Sequence, residues 1–161
     1  MDQYRPALWR LVQSYVEDTA AGDDLFQEIA LAVWQALPRF RGESSERTWL
    51  YRIAHNIAIS TLASRRRRRS RETDLEDAAP VHAADESPEG TLLHKERRDA
   101  MLAAIRRLPG ADRQLIVLHL EGLSYQEIEQ IAGLSVSAIA TRLSRIRSRL
   151  SDWVAGKEIP K

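Results

Sequence analysis

The sequence predicts an all-α protein: two small helical domains joined by a flexible acidic linker, with a helix-turn-helix in the C-terminal one. Three observations carry that expectation. Nowhere in the 161 residues do apolar and polar positions alternate over a strand's length between hairpin turns. Val136, Ile139, Leu143, Ile146 and Leu150 follow one another at steps of 3, 4, 3 and 4, the single stripe of a half-buried helix. Charge divides the chain as well. Residues 72–94 hold 7 acidic residues and no Lys or Arg, while 1–71 and 95–161 each hold 12 basic against 8 acidic residues.

Composition excludes several classes of function. There is no cysteine, hence no disulfide framework and no thiolate metal site. Apolar runs extend only a few residues, far short of a membrane span, and "MDQYRPALWR" lacks the apolar core of a signal peptide. A cytoplasmic protein without membrane insertion is expected. His55, His82, His94 and His119 are scattered, and no nucleophile–base pair or phosphate-cradling Gly loop stands out, so neither an enzyme nor a cofactor or metal site is expected.

The first domain is expected over residues 1–71. In "DDLFQEIALAVWQALPRF" (23–40), apolar residues at 25, 26, 29, 33, 34 and 37 form the broad stripe of a core helix that Pro38 ends. Asp24, Gln27 and Glu28 lie on its polar face, where they either complement the helix dipole or dock a basic partner. After Gly42 and the polar "ESSE", a long helix is expected to turn Trp49, Ile53, Ile57 and Leu62 inward, and Arg52, His55 and Asn56 the other way. Aromatic rings among arginines suit single-stranded nucleic acid, because bases stack on rings while guanidiniums hold phosphates. Trp9, Trp34 and Trp153 are assigned to cores, Trp49 to core or stacking platform, and Tyr51 is open. The closing "RRRRRSR" (65–71) reads as a solvated tail or as phosphate contact, which gives affinity without sequence information.

The linker, 72–87, has two prolines nearby and too little apolar content to offset its ordering entropy. Ser87-Pro88-Glu89 resembles a cap with Pro at the first helical position, opening a second domain over 88–154 ahead of a tail at 155–161. A helix over about 89–107 is broken by Pro109 and Gly110; Asp112 then caps a helix whose core is Leu115, Ile116, Leu118 and Leu120, ended by Gly122. Ser124 and Glu127 form a capping box for a short helix bearing Tyr125, Ile128 and Ile131. Gly133 supplies a left-handed stop and Ser135 caps the striped helix, whose other face carries Ser137, Ala138, Thr141, Arg142, Arg145 and Arg149. This is a helix-turn-helix, whose second helix enters the major groove, or an ordinary αα-hairpin with a solvated face; spacing alone leaves both open.

Several motifs together are more specific. "DLFQEIALAVWQAL", "FRGESSERTWLYRIAHN", "LPGADRQLIVLHLEGLSYQEIEQIAGLSVSAIATRL" and "RIRSRL" occur in the order of regions two and four of bacterial RNA polymerase sigma factors. The chain resembles the extracytoplasmic-function (ECF) group of that family over nearly all of its length apart from the linker, the first residues and "VAGKEIPK". The resemblance implies that Asp24, Gln27 and Glu28 dock on the clamp helices of the polymerase largest subunit. It implies capture of the melted −10 strand by Phe40, Arg41, Gly42, Ser44, Ser45, Arg47, Thr48 and Trp49, with Arg52, His55 and Asn56 at the upstream edge of the bubble. Ser135, Ser137, Ala138, Thr141, Arg142 and Arg145 would face the double-stranded −35 element. It also implies an anti-sigma partner. Ala140 and Ala32 stand where relatives often carry a basic residue, and Leu50 where housekeeping sigma factors have a second tryptophan.

A stand-alone repressor or activator would have no use for the Asp24–Gln27–Glu28 face, and a protein adaptor none for the arginines. The linker is either a soluble spacer or a cover over the basic faces of the free chain. Neutralising its acidic residues strengthens low-salt promoter binding by the free protein if it is a cover, and leaves binding unchanged if it is a spacer.

Overall fold

The computed structural model describes residues 2–72 and 92–155; the linker, the Ser87–Pro88 cap and the tail beyond Ala155 lie outside them. The described residues are helical without a strand, and they divide into two compact units, the first within Met1–Asp85 and the second within Glu86–Lys161.

The first unit packs three helices: α1 (Arg5–Tyr15), α2 (Thr19–Ala36) and α3 (Glu46–Glu72). α1 was not foreseen, although Leu8, Leu11, Val12 and Tyr15 bury one face of it. α2 starts well before residue 23, because the Asp18 side chain accepts a 2.8 Å hydrogen bond from the Ala21 N–H. Asp24, Gln27 and Glu28 therefore sit beyond the first turn, where the helix dipole has faded. The buried line of α2 is Gly22, Leu25, Ile29 and Val33. Trp34 is 72 % exposed and Leu37 56 %, so neither belongs to the core as expected. A short 3₁₀ turn, Leu37–Arg39, follows at Pro38.

The rotation of α3 is the largest departure from expectation. Its buried line is Thr48, Leu50, Tyr51, Ala54, His55 and Ala58, while Trp49, Ile53, Ile57 and Leu62 are only half-buried. Alanines let α3 lie close to α1 and α2, and the two rings of Tyr51 and His55 fill the remaining space.

In the second unit, α4 (Leu92–Arg107), α5 (Gly110–Leu120), α6 (Tyr125–Ala132) and α7 (Val136–Val154) pack together. The foreseen turn chemistry is present. Ser124 and Glu127 complete the capping box, Gly133 holds φ at +68°, and the Ser135 hydroxyl accepts from the Ala138 N–H. The stripe of α7 buries Ile139, Leu143, Ile146 and Leu150, whereas Val136, in its first turn, is exposed. α5 buries Val117 rather than Leu120, which is 61 % exposed. Asp112 is no cap either: Pro109 occupies that position, and Asp112 is turned into the unit.

A Cβ at Gly22 would meet Trp9 at 3.4 Å and Val12 at 3.5 Å, ordinary contact inside a helix. Gly22→Ala is therefore expected to stabilise the first unit by about 0.5–1 kcal/mol through the lost chain entropy of the unfolded state. Thermal melting monitored by circular dichroism checks it; a lowered Tm would mean that the α1–α2 contact cannot accept a methyl group.

Candidate functional site

The candidate site residues fall on three faces. The first lies on α2, where Asp24, Gln27 and Glu28 are all exposed. The Thr61 hydroxyl donates to Glu28 Oε2 at 2.6 Å, so α3 fixes the direction of that carboxylate. One turn further along α2, Leu31 is 54 % exposed, followed by Trp34. Residues 27, 31 and 34 lie three or four apart and so share a face. Sequence reasoning missed this apolar extension. The signal for Trp34 was the width of the stripe at 25, 26, 29, 33, 34 and 37, whereas Leu31 lies outside that stripe.

The second face surrounds the loop between α2 and α3. The rings of Phe40 and Trp49 lie 4.9 Å apart, tilted by 45°, both half-buried, which answers the question about Trp49: it is a surface ring backed by another ring. Gly42 takes φ +71°, a conformation that turns the loop. Arg41 and Ser45 are exposed and Ser44 half-buried. The Ser45 hydroxyl accepts from the Thr48 N–H at 3.1 Å and pairs with the Thr48 hydroxyl at 2.8 Å, so this pair caps α3. Trp49, Arg52 and Asn56 then share the outer flank of α3, at spacings of three and four. Arg47 is half-buried beside the loop.

Two expected members of this face are elsewhere. Thr48 is 1 % exposed and serves the cap. His55 is fully buried, its Nδ1 sharing a 2.9 Å hydrogen bond with the Tyr15 hydroxyl and its ring edge-on to Tyr15. It cannot touch DNA from there. Burial pushes its pKa down to about 3, so the ring is neutral in the folded protein.

The third face is on α7. Ser135, Ser137, Ala138, Thr141 and Arg145 are exposed, and the Thr141 hydroxyl donates back to the Ser137 carbonyl at 3.0 Å. Arg142 differs. It is half-buried, and its Nε donates to Asp112 Oδ1 at 2.7 Å. On the opposite flank, Arg147 reaches His119, whose pKa is lowered by burial first and by that guanidinium second. Among the described residues no cluster of three or more His, Cys, Asp or Glu could hold a metal ion, and no helix is long and apolar enough to cross a membrane.

Comparison with known proteins assigns the fold to a family. Residues 1–68 match Sigma-70 region 2 and residues 98–150 match Sigma-70 region 4. The ECF RNA polymerase sigma-E factor of Escherichia coli (strain K12) is 34 % identical over 161 residues, covering 94 % of this chain and 83 % of the relative. The chain belongs to the ECF RNA polymerase sigma factors. The RNA polymerase sigma-H factor of Pseudomonas aeruginosa is 32 % identical over 155 residues, covering 92 % of this chain and 80 % of that one. Two solved structures share the fold. The sigma factor RpoE of Bartonella quintana, crystallised with the anti-sigma factor NepR, has a TM-score of 0.74 at 24 % identity, over 95 % of this chain and 92 % of that one. CnrH, solved with the cytosolic domain of CnrY, has a TM-score of 0.66 at 22 % identity, over 98 % and 86 %. This ECF sigma factor therefore directs promoter-specific transcription initiation by RNA polymerase, with region 2 in the first unit and region 4 in the second.

Because His55 is neutral when folded and has an ordinary pKa of 6.5 when unfolded, the unfolded chain binds more protons between those values. Stability contributed by the neutral ring is complete above about 6.5 and is lost as pH falls towards 3, at about 1.4 kcal/mol per unit. Melting of the first unit between pH 7 and pH 5 should show that loss, and His55→Gln should flatten it. An equal slope in the variant would place the titrating group elsewhere.

Proposed function

We propose that the three faces divide the work of initiation among themselves. Asp24, Gln27 and Glu28 dock on basic residues of the clamp helices of the polymerase largest subunit, with Leu31 and Trp34 supplying apolar contact area beside the charges. Phe40, Arg41, Gly42, Ser44, Ser45, Arg47 and Trp49 receive unstacked bases of the −10 element, and Arg52 and Asn56 meet the upstream edge of the bubble. Capturing flipped or unstacked bases links binding free energy to strand separation. Ser135, Ser137, Ala138, Thr141 and Arg145 meet the major groove of the −35 element, where a good bidentate contact discriminates by about 1–3 kcal/mol. The observation that carries this reading is that α2 and α3 expose an acidic–apolar face and an aromatic–arginine face around one core. A stand-alone DNA-binding regulator needs only the helix-turn-helix.

On this reading the protein performs no reaction of its own, works in the cytoplasm and is held in check by an anti-sigma factor. Support for that last partner is the likeness to the sigma factor RpoE, solved with the anti-sigma factor NepR.

The test separates the faces. Asp24→Lys with Glu28→Lys, or Trp34→Ala alone, is expected to weaken binding to bacterial core polymerase tenfold or more by biolayer interferometry. Trp49→Ala should leave that affinity unchanged and weaken binding of the resulting holoenzyme to a mixed-sequence single-stranded oligonucleotide, by about 1–3 kcal/mol for one stacked base. Unchanged core binding in the charge-reversed protein would contradict the assignment of α2.

A further inference from the structure

Arg142 matches the sigma-family pattern as a −35 reader, yet its guanidinium is bonded inward. Asp112 is paired through both oxygens: Arg142 Nε donates a hydrogen bond to Oδ1 at 2.7 Å, and Arg149 Nη1 lies at ion-pair distance, 3.6 Å, from Oδ2. The carboxylate is only 13 % exposed, so both contacts sit partly out of water. Arg149 also lies over the Trp153 ring, 5.1 Å from its centroid, and Arg107 over the same ring at 4.7 Å. A continuous chain of contacts thus runs from Arg107 on α4 through Trp153 and Arg149 on α7 to Asp112 on α5, and returns to α7 at Arg142.

We propose that Asp112 is a positioning residue for promoter recognition: it holds Arg142 and Arg149 against α5, fixes the rotation of α7, and leaves Arg145 as the arginine that α7 gives to the −35 phosphates or bases. The proposal rests on reading α7 as the −35 helix. Helix geometry supports the division. At 3.6 residues per turn, Arg142 lies about 70° from the buried stripe of α7, whereas Arg145 lies about 130° and Thr141 about 170° from it. Electrostatics points the same way. For Arg142 to leave Asp112 for a phosphate, it would break a short charge-assisted bond and leave a largely buried carboxylate with a weaker partner. Losing Asp112 removes that cost and frees two cations on one flank of the recognition helix. Sequence preference then falls, because phosphate contacts add affinity to every sequence alike.

The experiment measures binding of the full-length protein to a labelled mixed-sequence duplex across a salt series, with circular dichroism to confirm folding. Each phosphate contact contributes about 0.9 to the slope of log affinity against log salt. Arg145→Ala is expected to make the slope shallower by about one. Arg142→Ala is expected to leave it unchanged while lowering the Tm. Asp112→Asn is expected to steepen it by about one to two as the arginines are freed. If Asp112→Asn fails to fold, the two arginine variants decide the matter. A slope that falls as much for Arg142→Ala as for Arg145→Ala overturns the proposal and leaves the −35 reading of α7 standing. A slope that none of the three substitutions moves overturns both.

Discussion

The three helices that carry the candidate faces, α2, α3 and α7, each bury one line of residues, and what they offer a partner depends on which side chains fall off that line. On α2 the line is Gly22, Leu25, Ile29 and Val33. Residues one helical step away, Asp24, Gln27, Glu28, Leu31 and Trp34, are consequently on the surface. On α3 the line of Tyr51, Ala54, His55 and Ala58 turns Trp49, Arg52 and Asn56 outward together. On α7 the line of Ile139, Leu143, Ile146 and Leu150 leaves Ser137, Ala138, Thr141 and Arg145 exposed. The three candidate faces are therefore set by core packing. A substitution that rotated α3 by one residue would move the aromatic–arginine face without touching it.

The polar groups inside these cores reinforce that rotation. His55 and Tyr15 join α3 to α1 by a hydrogen bond that only one rotation of α3 permits. Thr61 and Glu28 perform the same service at the surface between α3 and α2. In the second unit Asp112 ties α5 to α7 through two arginines. Each is a directional contact placed across a pair of helices whose apolar residues alone would tolerate a small roll.

Legibility of the sequence followed the range of the interactions involved. Local chemistry was readable: the Ser124–Glu127 box, the Gly133 stop and the Ser135 cap all involve atoms within a few residues. The stripe of α7 was readable because its core residues are large and regularly spaced. The rotation of α3 was not, because its buried line contains two alanines, a threonine and a histidine, while Trp49, Ile53 and Ile57 give a stronger apolar signal on the flank. α1 and the first turns of α2 are missing from the sequence-based expectation although Leu8, Leu11, Val12 and Tyr15 carry the helical period. Arg142 and Asp112 are separated by 30 positions, and their pairing is a tertiary fact that no local pattern announces.

On the proposed function, one chain carries both a polymerase-docking face and two promoter-reading faces. In vitro transcription from sheared genomic DNA, with purified core polymerase and mapping of transcript starts, tests it most directly. The expected starts share a two-part motif at a fixed spacing and are abolished by reversing the charges of Asp24 and Glu28. Core polymerase that binds the protein yet yields no such starts would rule out the promoter-reading role of α3 and α7, and starts that survive the charge reversal would rule out docking through α2.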